Sequence, residues 1–262
     1  MASDGAGILA LLWGTVTLRP YVVVLLAAFL AAGVWDLGWR RTLGFLLWGS
    51  AVAWLSEYAS TRIGIPFGLY HYTGNTRGAE LFLSNVPLFD SLSFSFLAYA
   101  AWCLARRALG REQGLATVGL AGLLMMLLDV VIDPLAVRGD RWFLGRVFYY
   151  PAGGAYFGVP LSNFAGWALV GWIIVGGYLA AGARGSARPA GSPWGGIGLY
   201  YGVLLFTLVV TGWIGEIALA AVGFLMHVGV FLVVYGVSRM TAVPATGREP
   251  LARSAAGGAA HD

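Results

Sequence analysis

Residues 115–133 read LATVGLAGLLMMLLDVVID, and this stretch decides the fold class. Every residue before Asp129 is uncharged, and the two acids, Asp129 and Asp133, lie together at its end. Because about 20 mostly apolar residues are needed to cross the hydrocarbon core of a bilayer, the stretch predicts a membrane-spanning helix. It also predicts that two carboxyl groups lie near one end of that helix.

The remainder of the chain has the same character. Of its 262 residues, 59% are hydrophobic and 11% are charged, whereas soluble domains carry roughly a quarter charged residues. Seven stretches approach the length of a membrane span: residues 18–36, 43–61, 87–105, 115–133, 160–182, 196–214 and 217–238. We therefore predict an all-α fold, a polytopic transmembrane helix bundle with about seven spans in one domain, residues 1–240.

The segments outside these stretches are short or rich in small residues. The apolar run 8–18 is too short to span and ends at Arg19-Pro20, which predicts an interfacial or re-entrant segment before the first span. Residues 183–195 and 241–262 are rich in Ala, Gly, Pro and Ser. This composition predicts a flexible loop and a disordered C-terminal tail.

The arginines indicate the orientation of the chain. With seven spans, ten of the 16 basic residues fall on one side: Arg40, Arg41, Arg106, Arg107, Arg111, Arg184, Arg188, Arg239, Arg248 and Arg253. The other side receives six: Arg19, Arg62, Arg77, Arg138, Arg141 and Arg146. Since cytoplasmic loops carry the excess of basic residues, we predict a cytoplasmic C-terminus.

Several classes of function are excluded or disfavoured by composition. The chain has no lysine, so a retinal or pyridoxal phosphate Schiff base has no amine to form on. Cys103 is the single cysteine, which we expect to pack in the core, and His71, His227 and His261 lack metal-ligand spacing. The arginines lie between apolar runs, so no nucleic-acid partner is expected. We expect no metal and no cofactor, and membrane lipid as a partner.

Two connections differ from ordinary loops because they are dense in glycine, proline and aromatic residues. They are residues 64–72 and 149–160, and each leads toward a Val-Pro-Leu step, at 86–88 and at 159–161. Proline fits the first turn of a helix, where its missing N–H has no partner to lose. Each connection follows a span with an acid near its end, so the pattern predicts an internal repeat of helix, aromatic loop and helix.

Five acids are placed in or close to the predicted spans: Glu57, Asp90, Asp129, Asp133 and Glu216. A charged side chain at the bilayer centre costs about 2.5–3.5 kcal/mol, so such acids are candidates for function. The order of the spans puts all five toward the non-cytoplasmic end. Asn163 falls at the same level.

Asp129 and Asp133 are four residues apart and therefore share a helix face. Two carboxyl groups this close in apolar surroundings hold at least one proton between them, and a protonated acid in a dry pocket is a proton donor. The alternative is structural: Asp133 caps or ends the helix beside Pro134, and Asp129 bonds an arginine such as Arg138.

The other candidates also carry structural alternatives. Glu57 shares a helix face with aromatic residues and alternatively pairs with Arg62 or Arg146. Asp90 and Glu216 are alternatively solvated or helix-start acids. His71 lies between Tyr70 and Tyr72, and the alternative for these two tyrosines is anchoring at the membrane interface. His227 is expected to be a core histidine.

The motifs together resemble a known family. They are GAYFGVPLSNFAGW at 154–167, DVVIDP at 129–134, and Glu57 followed by FGLYHY at 67–72. They resemble the membrane carotenoid 1′,2′-hydratases, which include enzymes that hydrate γ-carotene and lycopene in bacteria and the bisanhydrobacterioruberin hydratases of archaea. The resemblance covers about residues 40–240. It implies addition of water across the terminal double bond of an acyclic ψ end group, without a redox cofactor or metal, on a lipophilic carotenoid substrate.

The roles of single residues follow from the chemistry of that reaction. Protonation at C2′ creates a tertiary cation at C1′, which water captures, so the site needs an acid, aromatic faces and a group that positions water. We predict Asp129 or Asp133 as the proton donor. The other acid or Glu57 tunes it and deprotonates the water, which Asn163 holds. The residues predicted to contact substrate are Tyr70, His71, Tyr72, Asp90, Tyr156 and Trp167.

Two other functions remain open at this point. An integral membrane carotenoid cyclase also begins by protonating an end group, but it closes a ring and leaves the mass unchanged. A proton-coupled transporter uses intramembrane acids as a relay, although a relay should continue toward the cytoplasmic ends of the helices.

Overall fold

The computed structural model describes residues 7–182 and 191–241, and this part of the chain is predominantly helical. Its α-helices are α1 Ile8–Leu18, α2 Pro20–Leu37, α3 Trp39–Ile63, α4 Leu88–Leu109, α5 Leu115–Ala136, α6 Leu161–Gly182, α7 Trp194–Trp213 and α8 Ile217–Thr241. A helix corresponds to each of the seven predicted stretches. The short run 8–18 forms α1 with the expected bounds.

Five of these helices are long and apolar enough to cross a membrane, namely α2, α4, α5, α6 and α7. Helix α3 has 25 residues, but Arg40, Arg41, Glu57 and Arg62 lower its hydropathy. Helix α8 has a shorter apolar portion, Ile217–Val233. The structure thus confirms a helical protein of membrane type, and the number of seven spans stays a prediction. The predicted tail 241–262 and most of the predicted loop 183–195 lie outside the described residues.

The helix boundaries follow from local sequence. Pro20 occupies the first turn of α2, where a missing N–H costs nothing. Helices α3 and α4 end at Gly64 and Gly110, both in the left-handed region with φ of 75° and 59°, a conformation that glycine adopts at little cost. The turn at Gly64 directs the chain into the first aromatic connection, which forms part of the site.

Helix α4 forms the centre of the bundle. Its side chains from Phe94 to Ala105 are all buried, and α4 packs against α3, α5 and α7. Phe45 of α3 stacks on Trp102 of α4 with ring centroids 6.0 Å apart, and Phe29 of α2 meets Tyr99 at 5.2 Å. The aromatic core holds α4 in place, so its first turn is a fixed wall of the site.

The two aromatic connections pair with each other. Strand β1, His71–Tyr72, pairs antiparallel with β4, Phe148–Tyr149, while β2, Phe82–Leu83, pairs with β3, Val86–Pro87. These short strands were not anticipated by the all-α prediction; they form because loop backbone groups packed against the bundle need hydrogen-bond partners. The β1–β4 pair joins the two segments of the predicted repeat and brings the ends of α3 and α5 together.

One buried ion pair corrects the assignment of Arg106 to a loop. Helix α4 continues to Leu109, beyond the predicted end at residue 105, and Arg106 is buried against Asp36 of α2 with an N–O distance of 2.5 Å. The hydroxyl of Tyr99 also donates to Asp36, at 3.1 Å. Pairing allows this arginine to lie inside the bundle. Cys103 is buried beside the pair, as expected for a packing role.

Candidate active site

A cavity opens where α2, α4, α5, α6 and α7 meet the aromatic connections. It has a volume of about 160 Å³. Seven predicted site residues line it: Glu57, Tyr70, Tyr72, Asp90, Asp133, Asn163 and Trp167. Asp129, His71 and Tyr156 are not among its lining residues. The remaining wall is mostly apolar and aromatic.

The two acids of α5 have different positions. Asp133 lines the cavity, whereas Asp129 is fully buried one turn earlier. The side-chain amide of Asn163 on α6 donates a hydrogen bond of 2.6 Å to Oδ2 of Asp129. Asp133 lies close to the side chains of Asn163 and Trp167. Asn163 therefore connects the buried acid with the acid that faces the cavity.

The structural alternative for the α5 acids is wrong in this geometry. Helix α5 continues past Pro134 to Ala136, and the carbonyl of Asp133 accepts a backbone hydrogen bond from Val137. Arg138 donates to the carbonyl oxygens of Pro134 and Phe157, at 2.8 and 2.7 Å. Asp133 is thus not the end of the helix, and Asp129 has no bond to Arg138.

Glu57 is buried at the end of α3 and is held by hydroxyl groups. Oε1 accepts a hydrogen bond from Tyr72 at 2.7 Å, and Oε2 accepts one from Ser91 at 2.5 Å. Arg62 instead bonds Asn85 and lies over the ring of Tyr58. The predicted alternative of a Glu57–Arg62 pair is therefore wrong, and so is pairing with Arg146, whose guanidinium lies near the ring of Tyr149.

Strand alternation decides which residues of the first connection reach the cavity. Tyr70 and Tyr72 point inward, whereas His71 lies between them, opposite Tyr149 across the β1–β4 pair. Burial raises the pKa of the Tyr72 phenol well above its usual range, and the charge of Glu57 adds to this effect. Tyr72 therefore remains a hydrogen-bond donor. Interfacial anchoring, the alternative for the two tyrosines, is therefore wrong, because both rings line the cavity.

A wall of stacked rings faces the acids. Trp167 of α6 stacks on Phe94 of α4 with centroids 4.2 Å apart and planes 12° from parallel. Phe67 of the first connection meets Phe94 at 5.7 Å. All three rings line the cavity and are buried. Their faces offer π-electron density to a positive charge in the cavity.

Asp90 and Glu216 both pair with arginines. Asp90 lies in the first turn of α4, lines the cavity and pairs with Arg19, which also pairs with buried Glu80 at 2.8 Å. Asp90 is thus a helix-start acid, as the alternative held.

Glu216 precedes α8, outside this cavity, and pairs with Arg138 at 3.1 Å and with Arg141. Burial acts to raise its pKa, but the bonds and charges of the two arginines outweigh burial and lower that pKa.

Tyr156 and His227 do not line the cavity. Tyr156 packs on Phe157 and Phe164 behind the cavity wall. His227 is buried in α8, where its Nδ1 lies 2.8 Å from the carbonyl oxygen of Gly223, in agreement with a core role. Within residues 7–182 and 191–241, no three His, Cys, Asp or Glu side chains are grouped as a metal site.

Sequence reasoning missed several residues of the site. Ser91 bonds Glu57, Tyr150 lies beside Asp133, and Arg19 lies in the wall with only 4% of its surface exposed. The burial of Arg19 in an ion pair could have been predicted, because an arginine between two apolar helices needs a buried partner. Ser91 and Tyr150 carried none, since an isolated hydroxyl in an apolar sequence has no distinctive spacing.

This arrangement defines a class of protein: a helical membrane protein with acids and hydroxyl groups at one end of an aromatic cavity. More specifically, the chain belongs to the carotenoid biosynthesis protein family, whose family model matches residues 16–230. It is 32% identical over 188 residues to the bisanhydrobacterioruberin hydratase of Haloarcula japonica. That similarity covers 66% of this chain and 61% of the relative. No solved structure matches the chain.

Proposed function

We propose that this protein is a carotenoid hydratase that adds water across the C1′,2′ double bond of an acyclic ψ end group. The observation that carries the proposal is that Asp133, Glu57 and Asn163 reach one cavity with a stacked aromatic wall. Membership of the carotenoid biosynthesis family and the name of the archaeal relative support the substrate class. The reaction consumes only the alkene and water.

Asp133 is the proton donor in this proposal, because it is the α5 acid that lines the cavity. Its O–H bond breaks, the proton bonds to C2′, and the π electrons of the double bond form that C–H bond. A tertiary cation is left at C1′. The faces of Trp167 and Phe94 stabilise this charge where water is excluded.

Water then completes the addition. A water molecule held by Asn163 and by Glu57 bonds through oxygen to C1′ and loses one proton. Glu57 accepts that proton while Tyr72 and Ser91 keep its carboxylate oriented. Transfer of this proton from Glu57 to Asp133 restores both groups. The net change is the gain of one water by the substrate.

Asp129 acts as a positioning residue in this scheme. It is fully buried and absent from the cavity lining, and it fixes the Asn163 amide through the 2.6 Å hydrogen bond. An amide that donates to Asp129 presents its oxygen away from that acid. That oxygen is buried and has no partner among the described residues, and in this proposal it accepts a hydrogen bond from the water that enters with the substrate.

Pigment mass in lycopene-producing cells tests the proposal. Expression of the chain should yield a pigment heavier than lycopene by one water, or by two if both ends react. Asp133→Asn should abolish the product, whereas Asp140→Asn, which changes an exposed acid beyond α5, should retain it. A product of unchanged mass with a ring would establish a cyclase instead, and unchanged lycopene would contradict the proposal.

We also propose that the chain lies in the cell membrane with a cytoplasmic C-terminus. The ten-to-six distribution of arginines supports this orientation. A reporter fused after residue 262 should be active only in the cytoplasm. Activity of a reporter that functions only outside would overturn the orientation without affecting the chemistry.

A further inference from the structure

The cavity is too short for the whole of a C40 polyene. Its lining residues on α4 run from Asp90 to Leu97, and on α7 from Val203 to Thr207. At 1.5 Å per residue these segments measure about 10 and 6 Å along the helix axes. A C40 polyene is a rod of about the hydrocarbon thickness of a bilayer, roughly 30 Å. If an end group fills the cavity, most of the chain must leave it.

One wall of the cavity consists of rings that extend to the protein surface. Tyr21 of α2, Trp142 and Phe206 of α7 all line the cavity. Tyr21 stacks on Phe206 with centroids 5.1 Å apart, and Trp142 meets Tyr21 at 6.1 Å. Phe143 packs on Tyr21 at 5.7 Å and is 54% exposed. We call Tyr21, Trp142, Phe143 and Phe206 the portal cluster.

Helices α2 and α7 approach each other closely at the end far from the cavity. At the portal cluster, aromatic rings lie between them. A Cβ at Gly195 would lie 2.7 Å from Cβ of Ala32, and one at Gly191 would lie 2.9 Å from the backbone of Asp36. The far ends of the two helices therefore have no room for a ligand. At the other end α2 and α7 meet through the stacked rings of Tyr21 and Phe206, and rotation of such side chains is faster than movement of a helix.

We propose that the portal cluster is the binding site for the polyene body, through which the substrate enters from the lipid and along which its conjugated chain rests during reaction. This inference rests on the proposed function for the identity of the ligand. Flat rings suit a flat conjugated chain, because stacking buries apolar area on both partners. The cluster thereby selects long polyenes, while the acids act on the end group alone.

The test compares a long and a short substrate with the same end group. Lycopene is the long probe, and 2,6-dimethylocta-2,6-diene is the short one. The variant is Trp142→Ala combined with Phe206→Ala. The matched control is Phe224→Ala, which removes an exposed ring from α8 outside the cavity. Protein purified in detergent from lycopene-producing cells is assayed for the pigment that it retains, by absorbance. Protein in lipid vesicles is assayed for product, by mass.

The portal variant should retain at most about one fifth of the lycopene that the unmodified protein retains, and its KM for lycopene should rise about tenfold, as expected for loss of one to two stacked contacts. Its kcat/KM for the short probe should fall by less than its kcat/KM for lycopene, and a cooperative thermal transition in detergent shows that the variant is folded. The control should match the unmodified protein in every assay.

The portal proposal would be contradicted if the variant lost equal activity on both probes. It would also be contradicted if the variant retained as much lycopene as the control. If the unmodified protein retains lycopene but forms no hydrated product, the proposed function fails while the portal is still judged by pigment retention. The two ideas are therefore separated by different measurements.

Discussion

The side-chain amide of Asn163 on α6 donates a 2.6 Å hydrogen bond to the fully buried carboxylate of Asp129 on α5. This bond fixes the amide beside Asp133, which is the acid that lines the cavity. The two acids, four residues apart in sequence, thus have separate positions: Asp133 faces the cavity, and Asp129 holds the amide of Asn163 next to it.

Substitution of the two acids should separate these roles. Asp133→Asn should lower hydration by about 10²–10⁴-fold, because a general acid contributes that much, while Asp129→Asn should retain measurable activity. Product formed by purified protein in lipid vesicles provides the measurement. Asp140→Asn is the control for loss of a carboxylate. Loss of activity in Asp129→Asn with full activity in Asp133→Asn would reverse the assignment.

Asn163 should matter for stability as well as for rate. Asn163→Leu leaves the buried carboxylate of Asp129 without its donor, at a cost of about 1–3 kcal/mol in the free energy of unfolding. Combining it with Asp129→Leu should recover part of that loss, since the carboxylate of Asp129 is then no longer buried without its donor. Thermal unfolding in detergent measures both. A double variant less stable than either single variant would contradict this account.

The helices could be predicted from the sequence, since each predicted stretch has a helix and 8–18 became α1. Long apolar runs carry that signal by length alone. The exact end of α4 was wrong because an arginine at a helix end is typical of a loop, and the partner that buries Arg106 is Asp36, 70 residues away. Pairing over such a distance leaves no pattern in one sequence.

The candidate site was predicted in part for a similar reason. Spacing on a helix placed Asp129 and Asp133 on one face, and strand alternation explains afterwards why Tyr70 and Tyr72 reach the cavity while His71 does not. The β1–β4 pairing that sets this alternation joins residues on two distant connections. Ser91 and Arg19 became part of the site only through such tertiary contacts.

The hydroxyl that orients Glu57 should influence the rate without abolishing it. Tyr72→Phe removes the 2.7 Å hydrogen bond to Oε1 and leaves the one from Ser91, so hydration should fall about tenfold, equivalent to one hydrogen bond to a charged group. Glu57→Gln should lower it further. Tyr235→Phe, on the exposed side of α8, is the control for loss of a phenol, and an unchanged rate in Tyr72→Phe would contradict the role of Glu57 as the base.

The buried tyrosines predict how stability depends on pH. Burial, and then the charge of Glu57, raise the pKa of Tyr70 and Tyr72 above the ordinary value of 10.0. A raised folded-state pKa contributes stability that is complete below the unfolded value and is lost as pH rises through the folded value. Thermal stability should therefore decline above about pH 10. The decline should be smaller in Tyr70→Phe, and an equal decline would contradict the assignment.

Arg19 should be needed for folding but not for the hydration reaction, because two acids depend on its charge. Arg19→Met leaves Glu80 and Asp90 without their cation, and breaking a buried pair in this way costs about 3–5 kcal/mol. Adding Glu80→Gln and Asp90→Asn removes the unpaired charges and should restore most of the thermal stability. Arg111→Met, at an exposed position, is the control.

The triple variant also decides whether Asp90 takes part in the reaction. Because its carboxylate pairs with Arg19, we expect the triple variant to hydrate substrate within about tenfold of the unmodified protein, which is far less than the loss expected for a general acid. A refolded, thermally stable triple variant with no activity would show that Arg19 or Asp90, the two changed residues that line the cavity, is needed for the reaction. In that case the Arg19–Asp90 pair would belong to the reacting end of the cavity, and Asp133 would not be sufficient as its acid.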